Sequence, residues 1–122
     1  MILVASYLSF LSFLPPLSHL LFICSKNQWR SSTAELLLKN NLLHEARSAG
    51  TSQKARVKIN QRLIGWADVI FVMERKHKEI IKQNFPSAIN DKPIVVLDIA
   101  DDYSFGDEEL VNLLKTALAE YL

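Results

Sequence analysis

The sequence holds one cysteine in 122 residues, and that scarcity excludes a good deal. No internal disulfide can form, and neither a Cys-rich zinc site nor an iron–sulfur cluster can be built. A lone thiol fits a reducing compartment, either as an inert core residue or as a reactive one. Net charge is lacking too. Fourteen basic against 13 acidic side chains leave +1, which gives no basis for broad binding to nucleic acid or to an anionic membrane, though a small basic pocket stays open. What is present is globular: 49% hydrophobic and 22% charged residues, at a length close to the commonest for one domain.

Charge is also missing locally. No Asp, Glu, Lys or Arg occurs before Lys26. Residues 1–14 are apolar apart from Ser6, Ser9 and Ser12, and Pro15-Pro16 breaks any helix begun there. A signal peptide would want a basic start and small residues before a cut, and a lipoprotein-type cut before Cys24 would want them at Leu21-Phe22-Ile23; neither is found. A membrane anchor needs about 20 apolar residues. Residues 1–23 just reach that length, with the proline pair and His19 inside. The plainest reading divides the chain into a hydrophobic extension, residues 1–17, and an α/β domain, residues 18–122, with the anchor kept as an alternative.

From His19 onward, strand-like and helix-like segments alternate. Leu20–Ile23, Val69–Met73 and Ile94–Leu97 are short apolar runs suited to buried strands, and Glu45–Ser48, closed by Gly50, is a weaker one. A helix is expected over residues 31–41, with Ser32 and Glu35 at capping-box spacing. A second contains Val57, Leu63, Ile64 and Ala67 and ends near Gly65–Trp66, and Arg75–Asn84 forms a third, stopped before Pro86. The last starts near Asp107 and aligns Leu110, Val111, Leu114, Ala117, Leu118 and Tyr121 in one stripe. Alternation with near-continuous apolar strands predicts an open, doubly wound α/β fold: a four-stranded parallel sheet with helices on both faces. Ligands then belong beyond the carboxyl ends of the strands.

The loop after the first strand reads Cys24-Ser25-Lys26-Asn27-Gln28-Trp29-Arg30-Ser31. As a string it is weak; between a buried strand and a helix start it is strong. There the backbone N–H groups of residues 25–30 can converge with a helix N-terminus on one anion. Arg30 can add a bidentate fork for phosphate oxygens, and the positive surroundings suit Cys24 as a thiolate nucleophile.

This arrangement resembles the low-molecular-weight protein tyrosine phosphatase family, whose signature is a hydrophobic strand, Cys-x5-Arg-Ser, then a helix. Ser48-Ala49-Gly50-Thr51, Ala67–Glu74 and Asp101-Asp102-Tyr103 are similar to further family elements in the same order, so the resemblance spans residues 19–122. It implies that Cys24 attacks phosphorus to form a phosphocysteine, while Arg30 and the N–H groups of Ser25, Lys26, Asn27, Gln28, Trp29 and Arg30 hold the equatorial oxygens. Ser31 then donates a hydrogen bond to the thiolate, Asn27 stiffens the loop, Asp101 acts as general acid and then base, and Tyr103 lines the pocket for an aromatic ring. It implies no metal and no organic cofactor, a cytoplasmic enzyme with a membrane-anchored form as the alternative, and a phosphorylated substrate such as a phosphotyrosine protein.

Other residues have blander readings. Ser48 and Thr51 suit turns, Asp68 a turn or cap, Tyr103 a core cover and His77 a solvated helix position, while His19 and His44 stand isolated. Departures from the family pattern matter as well. Trp29 stands where many members have a second cysteine, Asp102 replaces a proline, and the aromatic wall after Ser-Ala-Gly-Thr is missing near Gln53-Lys54. Related arsenate reductases need more cysteines than one, and phosphocysteine-carrying sugar-transport subunits have less need of Arg30 and Asp101. A catalytically weak phosphate- or phosphopeptide-binding module of the same fold is the alternative from another functional class.

Overall fold

A computed structural model describes residues 17–122. The extension and anchor readings of the N-terminus concern residues 1–16 above all, which lie outside the described residues. Among the described residues no helix is long and apolar enough to cross a membrane.

The elements run β1 (Ser18–Cys24), α1 (Arg30–Leu37), β2 (His44–Gly50), α2 (Gln61–Trp66), β3 (Val69–Val72), α3 (Arg75–Asn84), β4 (Ile94–Val96) and α4 (Glu108–Leu118). The four strands form one sheet in the order β2-β1-β3-β4, and every pairing is parallel. The strand order reverses beside β1, so the carboxyl end of β1 is where a doubly wound sheet opens a crevice.

Alternation along β1 builds the two cores. Leu20, Phe22 and Cys24 face a layer made with Ala34 of α1 and Leu110, Leu114 and Leu118 of α4. Leu21 and Ile23 face the opposite layer, with Ile64 of α2 and Ile81 of α3. Because helices cover both faces, β1 has no polar side to show. Phe22 stacks on Phe71 with ring centroids 5.2 Å apart, and Tyr121 meets Phe71 edge-on at 5.7 Å. Each buried phenyl side chain contributes roughly 2–3 kcal/mol of transfer free energy.

Several sequence expectations shift. The first helix begins at Arg30 rather than residue 31 and ends at Leu37 rather than 41. Its start carries no Ser32–Glu35 capping box: Ser32 lies inside the helix and its hydroxyl donates to Gln28 O and Trp29 O. Glu35 instead accepts a hydrogen bond from Ser48. The second helix starts only at Gln61, because Asn60 caps it by accepting from Leu63 N, while Val57 is held back to pair its carbonyl with Gly50 N. His19, read as isolated, stacks on Trp66 at 4.4 Å, and Asp68 accepts from His19 N at 2.7 Å, tying the starts of β1 and β3 together.

Candidate active site

Cys24 is the last residue of β1 and is buried. The backbone that follows is turned by its carbonyls. Cys24 O accepts from Thr51 N, Ser25 O from Ser52 N, Lys26 O from Arg56 N, and Asn27 O from Arg56 Nε. Gln28 O and Trp29 O accept from Ser32 Oγ, and Trp29 O also from Thr33 N and Thr33 Oγ1. With every carbonyl from Cys24 to Trp29 drawn outward, the loop's N–H groups are left for its concave side. Asn27 N donates to Cys24 Sγ at 3.2 Å, which shows that turn in progress. Such a nest attracts an anion through its backbone dipoles.

Two features force the shape. Asn27 adopts φ 58°, the left-handed region that asparagine tolerates better than most residues. Gly50 ends β2 directly beneath the loop: a Cβ there would stand 2.4 Å from Ser25 O and 3.0 Å from Asn27 N. Only glycine permits that approach.

A chain of side chains then fixes the sulfur. Asn27 is fully buried, and its Nδ2 donates one hydrogen to Ser31 Oγ and one to Ser48 Oγ, both at 2.8 Å. Ser48 passes its own proton to Glu35 at 2.7 Å. Ser31 Oγ lies 2.9 Å from Cys24 Sγ and a longer 3.4 Å from Ala49 O, so a thiolate sulfur is the better acceptor for its proton. Ser48, read from sequence as a turn former, is thus a buried strand residue inside this network.

Arg30 opens α1 and is 1% exposed. Its Nη1 donates to Glu74 Oε2 at 2.5 Å and to Ile99 O at 2.8 Å, while Nε lies 3.5 Å from Asp101 Oδ1. The hydrogen bond from Arg30 holds the Glu74 carboxyl below its usual range. No protein group among the described residues takes Nη2, so one edge of the fork remains for a ligand.

Glu74 and His77 form a reciprocal cap at the start of α3. Glu74 N donates to His77 Nδ1 at 3.1 Å, so the ring proton sits on Nε2, which donates to Ser25 Oγ at 2.9 Å. His77 is fully buried, and the solvated reading of it is corrected. The reason is its position three residues past Glu74, in the first turn after β3, where it faces the loop. Burial foremost, and then the positive Arg30, lowers its pKa to about 4. The unfolded chain therefore binds more protons than the folded one between about pH 6.5 and 4, and stability falls on acidification through that window. Between pH 7 and pH 5, His77 alone is expected to contribute a loss on the order of 2 kcal/mol. Urea unfolding at both pH values checks this: His77→Gln should show a shallower loss than the wild type, although burial pushes His44 the same way in both.

Cys24, Lys26, Gln28, Trp29, Arg30 and Asp101 line one cleft of about 80 Å³. That is far below the several hundred Å³ of a site enclosing a whole metabolite, and suits a single small anion. A larger groove of about 820 Å³ runs along α1 past Leu36 and Phe105 but reaches neither Cys24 nor Arg30. Of the four aspartates after β4 (Asp98, Asp101, Asp102 and Asp107), only Asp101 lines the cleft; Asp98, at φ 57°, borders a groove against α4. Tyr103 is half-buried against the core layer containing Leu110 and does not line the cleft. Its phenol is held above the usual range by desolvation and by the carboxylates of Glu109, Asp102 and Asp107. Glu74, His77 and Arg56 escaped the sequence reading. Only the Glu-x-x-His spacing of the first two, at a strand's carboxyl end, could have signalled them.

No protein-family model matches the chain, and no curated protein matches its sequence. Solved structures do. The YwlE arginine phosphatase from Geobacillus stearothermophilus is 26% identical at a TM-score of 0.65, over 84% of this chain and 91% of that one. The tyrosine phosphatase Wzb from Escherichia coli K30, solved with phosphate, is 24% identical at a TM-score of 0.68, over 85% and 95%. The low-molecular-weight protein tyrosine phosphatase of Streptococcus pyogenes is 18% identical at 0.69, over 86% and 93%. By its sheet order, by the cysteine loop closing its first strand and by these likenesses, the chain has the fold of the low-molecular-weight protein tyrosine phosphatases.

Proposed function

We propose that the protein is a cysteine-dependent phosphate-monoester hydrolase acting through a phosphocysteine intermediate. The observation that carries this reading is the loop itself: its carbonyls from Cys24 to Trp29 are all drawn outward around a sulfur that two hydrogen bonds reach. A phosphoryl group seated there would present its phosphorus to Cys24 Sγ and its oxygens to the loop N–H groups and to Arg30. Attack forms the S–P bond and breaks the P–O bond to the leaving group, whose oxygen takes a proton from Asp101. Asp101 then accepts a proton from the water that attacks the phosphocysteine, and Ser31 steadies the departing thiolate. The substrate is a phosphorylated molecule, with phosphotyrosine protein the finer reading. The solved neighbours include both tyrosine and arginine phosphatases.

The test is hydrolysis of aryl phosphates with leaving groups of graded basicity, with a chelator present. Asp101→Asn is expected to slow poor leaving groups by about 10²-fold or more and good ones only a few-fold, because only poor leaving groups need the proton. Asp102→Asn is expected to leave both series nearly unchanged. Equal, small effects from both substitutions would remove Asp101 from its role and favour a binding module.

A further inference from the structure

The cleft has room for one small anion and little else. At about 80 Å³ it cannot enclose the rest of a phosphate ester, which must lie across the rim formed by Lys26, Gln28, Trp29 and Asp101. Trp29 alone among those four offers an apolar face. Its carbonyl is fully engaged, accepting from Thr33 N, Thr33 Oγ1 and Ser32 Oγ, but its side chain gives α1 no cap.

The two tryptophans make the contrast. Trp66 lies 4.4 Å from the His19 ring it stacks on and has the Arg47 guanidinium 4.3 Å above it, so its partial exposure is covered by partners. Trp29 is 44% exposed, and among the described residues its indole makes no hydrogen bond, ring stack or cation–π contact. A large aromatic left uncovered at the lip of a concave site is a surface in want of a ligand. The residue given the aromatic role by family resemblance, Tyr103, is turned to the core instead.

We infer that Trp29 is the specificity-determining residue of this cleft: its indole packs against the flat group attached to the phosphate, so that aryl phosphates are preferred over alkyl ones. The inference rests on the reading of the cleft as a phosphoryl site, and is best tested by binding alone, without turnover. Calorimetry with inorganic phosphate, methylphosphonate and phenylphosphonate separates the anion from the ring.

The wild type should bind phenylphosphonate more tightly than methylphosphonate. Trp29→Ala and the bulkier Trp29→Leu should each weaken phenylphosphonate by roughly tenfold and leave the other two probes unchanged, since stacking on one aromatic face is worth about that much. Trp29→Phe should restore most of the difference, and Tyr103→Phe should not alter it. Equal weakening of all three probes would show that Trp29 merely holds the loop, and would overturn the inference. So would phenylphosphonate binding that is no tighter than methylphosphonate in the wild type. If the wild type binds none of the three, the phosphoryl-site reading itself falls.

Discussion

Replacing Cys24 by serine is expected to lower turnover by on the order of 10⁴-fold or more while leaving the fold in place. The substitution is nearly isosteric at a site only 3% exposed, and the hydroxyl can keep the contacts that now come from Ser31 Oγ and Asn27 N. Serine is not ionised near neutral pH, and no histidine stands beside position 24 to act as its base. The imidazole of His77 bonds the neighbouring Ser25 and has its unprotonated nitrogen occupied by Glu74 N. Rapid-quench kinetics and mass spectrometry of the wild type should reveal a phosphorylated cysteine. Retained activity in Cys24→Ser would assign the chemistry to another group.

Arg30→Lys separates geometry from charge. Lysine keeps the positive charge but has a single nitrogen, whereas Arg30 is proposed to perform two tasks with different edges of one plane. Nη1 ties β3's carboxyl end and the loop after β4 together through Glu74 and Ile99, while the opposite edge is open to the cleft. A lysine ammonium is expected to settle on Glu74 and leave the phosphoryl oxygens without a fork. We expect kcat/KM to fall by about 10²–10³-fold, the usual cost of removing a preorganised donor from a developing anion. The inhibition constant for inorganic phosphate should weaken alongside it. A lysine variant with near-normal phosphate affinity would show that the loop N–H groups suffice, and that Arg30 serves only to brace the fold.

Much of this was legible before any coordinates, and the reason is physical. β1 and β3 announce themselves because both faces of the sheet are covered, so their apolar runs are uninterrupted. The stripe of α4 shows at once because Leu110, Leu114 and Leu118 recur at helical spacing on one buried face. The cysteine loop is a local signal as well, flanked by its own strand and helix. What the sequence hid depends on tertiary approach. Nothing local tells that residues 51–56 supply the donors that turn the loop carbonyls outward, since that stretch has no periodicity to read. His77 looks solvated among lysines and a glutamate until α3 is set against the loop. Tyr103 lies against the core and away from the cleft for the same reason: burial of a side chain is decided by what packs over it, and the motif does not carry that information.

The position of β1 in the sheet carries one more consequence. β1 is flanked by β2 and β3, and the ties continue beyond its last hydrogen-bonded pairs: Met73 N reaches Ile23 O and Thr51 N reaches Cys24 O. Parting Cys24 from its surroundings therefore means opening two strand pairs at once. The nest of loop N–H groups belongs to the same cooperative unit as the hydrophobic layers, not to a loop that frays ahead of them. Mild denaturation should find no regime in which the sheet survives and the nest is lost; the two come apart together.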